Sequence, residues 1–372
     1  MDVPASAEPS VSRRLLASWL GVLFVLVFVL NAAGGWVRLS GSGVAIPHWP
    51  VIDLGTHRTL LPPFNAAGWD AAHGAYLEHQ ARLQERVVRG DLAPVNLGRL
   101  PADRAEFRGM FLTEWSHRLL AALVGVLAAG CLTTVLRRAD LRRAVGLPFG
   151  IVCVLIVVQA LVGGLLVAEG TNTRWLFLHQ GNAGMIMSCL LWSVLRLLQP
   201  SGMVAPRRAA LVALLACAAV WVWLQLVSGA MVSSSRHQLP PDLRLGLGAL
   251  PALWVAEAGV GWNLLENARL HQWLHRWPVW GLVALLVAVY AVAWSSRCGV
   301  RQRLALQVSA TFLGVQIMLG LASALVGAHP FIALGHQAMG MGMLMSVVLA
   351  LHDGLYEEPA SESAQLPAGT PA

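Results

Sequence analysis

Eight apolar runs of about 20 residues alternate with polar stretches along this chain, near 15–37, 114–136, 147–168, 175–198, 208–232, 271–294, 304–327 and 332–352. A run of that length matches the hydrocarbon thickness of a bilayer, so each predicts a membrane-spanning helix. The predicted fold is therefore an all-α polytopic membrane protein. The short connections at 137–146, 199–207 and 295–303, with the start of the fifth run, hold Arg137, Arg138, Arg142, Arg143, Arg207, Arg208, Arg297, Arg301 and Arg303. Together with Arg13 and Arg14 ahead of the first run, they mark the cytoplasmic side. Both termini then lie inside, and the two long segments at 38–113 and 233–270 lie outside. A short helix is predicted in the first of these, from Asp70 to Arg89.

The apolar runs also repeat. His117-Arg118 recurs as His275-Arg276, and Gln159 followed twenty residues later by His179-Gln180 recurs as Gln316 followed by His336-Gln337. The repeat unit contains four spans, an even number, so the second copy enters the bilayer in the same sense as the first. The expectation is two tandem, parallel four-helix bundles. The chain divides into a cytoplasmic segment at 1–14, an N-terminal half at 15–200, a C-terminal half at 201–355 and an acidic, disordered tail at 356–372.

Composition narrows the class without changing this outline. With 56% hydrophobic and 12% charged residues and a mean hydropathy of +0.62 over 372 residues, a soluble protein is excluded. All 26 basic residues are arginine and the formal charge is +7, read here as membrane sidedness. The lipid bilayer is the implied partner, and no nucleic acid is expected. Cys131, Cys153, Cys189, Cys217 and Cys298 all lie in or beside apolar runs, so neither outer segment carries a disulfide framework. The first run leads into Asn31-Ala32-Ala33-Gly34-Gly35-Trp36 and reads as a retained span, not a cleaved signal.

Hydrocarbon is a poor solvent for imidazole, so four histidines placed in register by a duplication require a reason. Spans two, four, six and eight all run inward, and His117, His179, His275 and His336 each fall near the start of their run. All four are expected at one depth, close to the outer surface. Two facing imidazoles in a bundle can clamp a porphyrin iron. Zinc would want three or four close ligands, and each half offers two. Of the other histidines, His48, His57, His73, His79, His237, His271 and His329 lack a counterpart and read as loop or interfacial residues.

Glu114 stands three residues before His117, where the second half has Gln272. Positions i and i+3 share a helix face, so Glu114 is expected to look into the first pocket and to relay protons or stabilise positive charge. Otherwise it is a helix-start carboxylate. Arg118, Arg276 and Arg38 either pair with propionates or extend to the interface. Gln159, Gln316 and the small residues at Gly163-Gly164 and Gly320 read as helix-packing features.

These residues resemble the heme A synthase family. Glu114-Trp115-Ser116-His117-Arg118 is similar to its Glu-x-x-His-Arg motif, and Glu266-Asn267 through Gln272-Trp273-Leu274-His275-Arg276 to its second-half segment. Gly34-Gly35-Trp36-Val37-Arg38-Leu39-Ser40 resembles the family's first span exit, and the resemblance covers nearly all eight spans. It implies oxidation of a heme O methyl group to the formyl of heme A, with Glu114 beside the substrate heme on His117 and His179. A resident heme b would sit on His275 and His336. Molecular oxygen would be the oxidant, heme O synthase and heme-copper oxidase assembly the partners, and an unidentified donor the electron source. The setting would be a bacterial cytoplasmic membrane. The chain departs from many relatives in lacking a cysteine pair in the first outer segment. On the residues alone, a diheme b-type electron carrier remains open, as does a heme transporter or chaperone; continuous spans and Glu114 favour the enzyme.

Overall fold

The computed structural model describes residues 9–55, 57–91, 99–170, 172–199, 208–235, 253–296, 298–326 and 329–356. Arg207, Arg297, His237, most of the second outer segment and the acidic tail lie outside them.

Among the described residues, eight helices are long and apolar enough to cross a membrane, one for each predicted run. They are α1 (Val11–Leu39), α3 (Arg104–Arg137), α4 (Ala139–Ala168), α5 (Thr173–Leu198), α6 (Ala209–Ser235), the pair α8 (Ala268–Arg276) and α9 (Pro278–Ser295), α10 (Val300–Leu325) and α11 (Pro330–Tyr356). Outside them lie α2 (Ala66–Val88), α7 (Gly259–Leu265), a 3-10 turn at Ala256–Ala258 and a two-strand ribbon, β1 (Ile52–Asp53) with β2 (Arg58–Thr59).

Helix α1 packs on α3 and α5, α3 on α4, and α4 on α5. Later in the chain, α6 packs on α8, α9 and α11, and α10 on α11. Contacts of α5 with α6 and α11, and of α1 with α11, join these groups. Lipid tails are as apolar as leucine, so burial of greasy surface does little to hold such helices together; close approach and hydrogen bonds do more. Gly181 and Gly184 of α5 make room for Trp223 of α6, whose indole N–H donates to Gly181 O at 2.8 Å. A Cβ on Gly181 would stand 2.9 Å from Val227.

Two spans differ from expectation. Helix α3 begins ten residues before its apolar run because Asp103 and Glu106 form a reciprocal cap: Asp103 Oδ1 accepts from Glu106 N–H at 2.8 Å, and Glu106 accepts from Ala102 N–H. His117 consequently stands in the fourth turn of its helix. Span six is not continuous as expected. Pro278 lacks an N–H and its ring clashes with the carbonyl four residues earlier, so the helix breaks between Arg276 and Pro278, directly after His275.

The protruding end of α3 carries Phe107, Met110 and Phe111 into a separate outer core with Val44, Ile46, Ile52, Leu54, Ala72 and Tyr76. This core faces water, so here each large buried side chain contributes about 1.5–3 kcal/mol. The predicted Asp70–Arg89 helix is α2, started earlier by Asn65, whose side chain accepts from Gly68 N–H at 2.8 Å. His79 of α2 is buried and donates from Nε2 to Val167 O at the end of α4, at 2.9 Å.

Burial holds His79 below the ordinary histidine range, so the folded protein favours its neutral form. The resulting stabilisation is present above the unfolded pKa of about 6.5 and is lost as pH falls below it. Hydrogen-exchange protection of α2, corrected for intrinsic rate, is expected to decline between pH 7 and pH 5 in the unmodified chain. His79→Phe should flatten that dependence.

Candidate heme-ligand sites

Each of the four repeat-related histidines faces a glycine on a neighbouring helix. A Cβ on Gly34 of α1 would stand 3.1 Å from His117 Nε2, and one on Gly163 of α4 would stand 3.5 Å from His179 Cε1. Likewise, a Cβ on Gly229 of α6 would approach His275 Cε1 to 3.1 Å, and one on Gly320 of α10 would approach His336 Cε1 to 3.2 Å. Gly163 and Gly320 were expected to serve packing alone; they also make room for the imidazoles. Gly34 and Gly229 were not expected as a pair. They lie 195 residues apart, not 157 or 158, because the outer segments differ in length. Matching Gly34-Gly35-Trp36-Val37 to Gly229-Ala230-Met231-Val232 would have revealed them.

His275 and His336 face each other with ring centroids 6.0 Å apart and planes at 85°. Two metal–imidazole bonds of about 2 Å plus the ring radii separate such centroids by about 6 Å, so the pair fits axial ligation of one iron. His275 Nδ1 lies 3.0 Å from Ser228 Oγ. Ser228 Oγ also lies 3.1 Å from Gln225 O, and a proton on His275 Nδ1 satisfies both contacts. The lone pair is thereby left on Nε2, the arrangement of a ligand oriented through its other nitrogen. His179 Nδ1 is buried without a hydrogen-bond partner, while His336 lies against the Gln316 backbone. His117 lies close enough to His179 to act on it electrostatically. Among the described residues, no three His, Cys, Asp or Glu side chains come together as a metal cluster.

Glu114 is placed differently from expectation. Its side chain is only 4% exposed; Oε2 accepts from Ile46 N–H at 2.8 Å and Oε1 from Arg118 at 2.6 Å. Arg118 also donates to the carbonyls of Ile46 and His48, each at 2.6 Å. Carboxylate and guanidinium together hold the outer segment at 46–48. The next residue, Trp49, lies over Gly164, where a Cβ would stand 3.2 Å from the indole, beside the glycine that faces His179. The expected open view of Glu114 into the pocket is replaced by a latch that seats Trp49 next to the first histidine pair. A carboxylate desolvated this far needs its cation, and the loop amide supplies the remaining bond.

The equivalent positions in the repeat are Gln272 and Arg276. Gln272 is 1% exposed with an unpartnered Oε1, and Arg276 occupies the last turn of α8. Asn267 caps α8, accepting from Arg269 and Leu270 N–H, and donates to Leu253 O at 2.7 Å. His271, expected to be interfacial, is fully buried and lies 3.0 Å from Leu264 O. Arg38 donates from Nη2 to Ser233 O at 2.8 Å, joining the ends of α1 and α6, while its buried Nε is unpartnered. Gln159 donates to His179 O at 3.1 Å and accepts from Asn182 at 2.6 Å, bracing α4 on α5. All five cysteines are free.

The profile of the cytochrome oxidase assembly protein family, COX15-CtaA, matches residues 17–348. The chain belongs to this family. It is 30% identical over 358 residues to a protein of Rhizorhabdus wittichii named heme A synthase, covering 93% of this chain and 96% of the relative. A heme A synthase of Rhodopseudomonas palustris is 30% identical over 381 residues, covering 99% and 97%. One from Paracoccus denitrificans is 29% identical over 367 residues, covering 93% and 89%. The resemblance stated from the motifs is thus a family membership extending over nearly the whole chain.

Arg118→Ala leaves the Glu114 carboxylate buried without its cation. A loss of about 3–5 kcal/mol in stability is expected, with faster proteolysis of the 44–50 segment. Glu114→Gln/Arg118→Ala should recover part of that loss in thermal unfolding; no recovery would argue against the pair as its origin.

Proposed function

We propose that this chain oxidises the methyl substituent of heme O to the formyl group of heme A, the form required by heme-copper oxidases. The reading is carried by the facing of His275 and His336, at ligand separation, in a chain whose relatives are named heme A synthase. Two tandem, parallel four-helix halves each contribute a histidine pair. His275 and His336 hold a resident heme b, and His117 and His179 hold the substrate heme. A bound heme would supply the redox chemistry of the oxidation, with molecular oxygen as the oxidant.

The protein's own groups do the placing. Ser228 orients His275, and the four glycines set how closely each imidazole approaches its neighbouring helix. Arg38 follows Gly34 by one turn on the same face, so its guanidinium is positioned for a propionate, as is that of Arg276 in the second half. Arg118 is committed to the 46–48 carbonyls and acts on the loop. Glu114 is a positioning residue: it seats Trp49 beside the first pair and excludes water there. Both termini face the cytoplasm and the histidines lie near the outer face. Heme O arrives from a heme O synthase in the same bilayer, and a separate donor supplies electrons.

Hemes extracted from membranes that express this chain with a heme O synthase should contain hydroxylated heme or heme A by chromatography and mass analysis. Heme O alone, despite confirmed expression, would overturn the oxidase reading in favour of an electron carrier. Glu114→Gln is expected to retain the resident heme's spectrum while lowering heme A formation by about 10²-fold, the cost of a small misplacement of reacting groups. His275→Ala and His336→Ala should each abolish the low-spin spectrum of the purified protein. A normal bis-histidine spectrum in both would refute that ligand assignment.

A further inference from the structure

The residues that directly follow two of the histidines meet at one side chain. Gln180 of α5 and Gln337 of α11 occupy equivalent places in the repeat, each immediately after its histidine. Both reach Asn31 of α1. Asn31 Nδ2 donates to Gln180 Oε1 at 3.3 Å, and Gln337 Nε2 donates to Asn31 Oδ1 at 3.0 Å and to Asn31 O at 3.1 Å. Gly35 makes the close approach possible, because a Cβ there would stand 2.7 Å from Gln337 Oε1 and 3.0 Å from Leu334.

The arrangement is not itself repeated. The spacing of 195 that relates Gly34 to Gly229 relates Asn31 to Leu226, so the second half has no amide at this place. One asparagine therefore serves both glutamines, and through them the helices that bear His179 and His336. Inside a bilayer, an amide without water has few alternative partners, so such bonds constrain how the two helices sit relative to each other. No comparable polar connection between the halves involves His117 or His275 among the described residues.

We infer that Asn31 is a positioning residue that couples the two histidine pairs, so that a change at the first pair alters the orientation of the His336 imidazole in the second. This rests on the proposal that each pair holds a heme. Coupling of this kind needs direct evidence of a linked change at both sites, since nearness alone does not establish it.

The test is low-temperature electron paramagnetic resonance of the purified full chain carrying the His275/His336 heme. Its g-values report the mutual orientation of the axial imidazoles and respond little to a distant charge. In the Asn31 background, His179→Ala, which empties the first pair, is expected to shift those g-values. In the Asn31→Leu background, which installs the second half's own residue, the same change should leave them unmoved. If Asn31→Leu does not accumulate, Gln180→Leu severs one arm of the bridge and should also abolish the shift. An equal shift with the bridge intact and cut, or none with it intact, would overturn the inference. Absence of any bis-histidine signal from the unmodified chain would instead overturn the heme reading on which it rests.

Discussion

Each of the four repeat-related imidazoles lies where a neighbouring helix backbone carries no side chain, and this close approach organises the molecule. Gly34, Gly163, Gly229 and Gly320 lie on four different helices, and each faces one histidine on another. The pairings α1 with α3, α4 with α5, α6 with α8, and α10 with α11 are therefore set by site geometry as much as by packing. Amides and hydroxyls then supply the orientation that apolar contacts cannot. Gln159 braces the backbone of His179, Ser228 orients the ring of His275, and Asn31 gathers the glutamines that follow His179 and His336. The same scarcity of partners that makes polar groups costly in hydrocarbon makes those retained there specific.

The two halves solve the problem of their outer rims differently. In the first, a desolvated Glu114–Arg118 pair grips backbone groups of the outer segment and delivers Trp49 to Gly164. In the second, neutral amides do the fastening: Asn263 and Asn267 tie α7 and α8 to residues 253–255, and Glu266 meets Arg174 across the interface at 3.0 Å. A charged latch loses much of its strength when either partner changes, whereas an amide network loses one bond at a time.

All eight spans were legible, because an apolar run of bilayer length has few other uses, and the four histidines stood out because they recur in register. The start of α3 was legible in principle: Asp103-Arg104-Ala105-Glu106 is a capping box, but polar residues after it obscure the continuation into the span. The break at Pro278 was also written locally and went unread. Helical spacing placed Glu114 on the face of His117 without revealing what else competes for that face. Its partner Ile46, and the His48 carbonyl that Arg118 holds, are about 70 residues away and belong to a loop with no periodicity. The pairing of Gly34 with Gly229 was hidden by unequal loop lengths, and the convergence on Asn31 spans 306 residues. Such contacts depend on assembled helices, and no local pattern encodes them.

Helix α3 also has a mechanical consequence. Its first turns are built into the outer core through Phe107, Met110 and Phe111, and the same unbroken rod carries His117. The distance from Arg104 to His117 is roughly 20 Å at the usual rise per residue, and an α-helix transmits tilt and torque over that length with little stretch. The outer unit is accordingly a handle on the first histidine pair. Any displacement of that core would reach His117 through an unbroken helix, whereas His275 lies beside the interruption at Pro278.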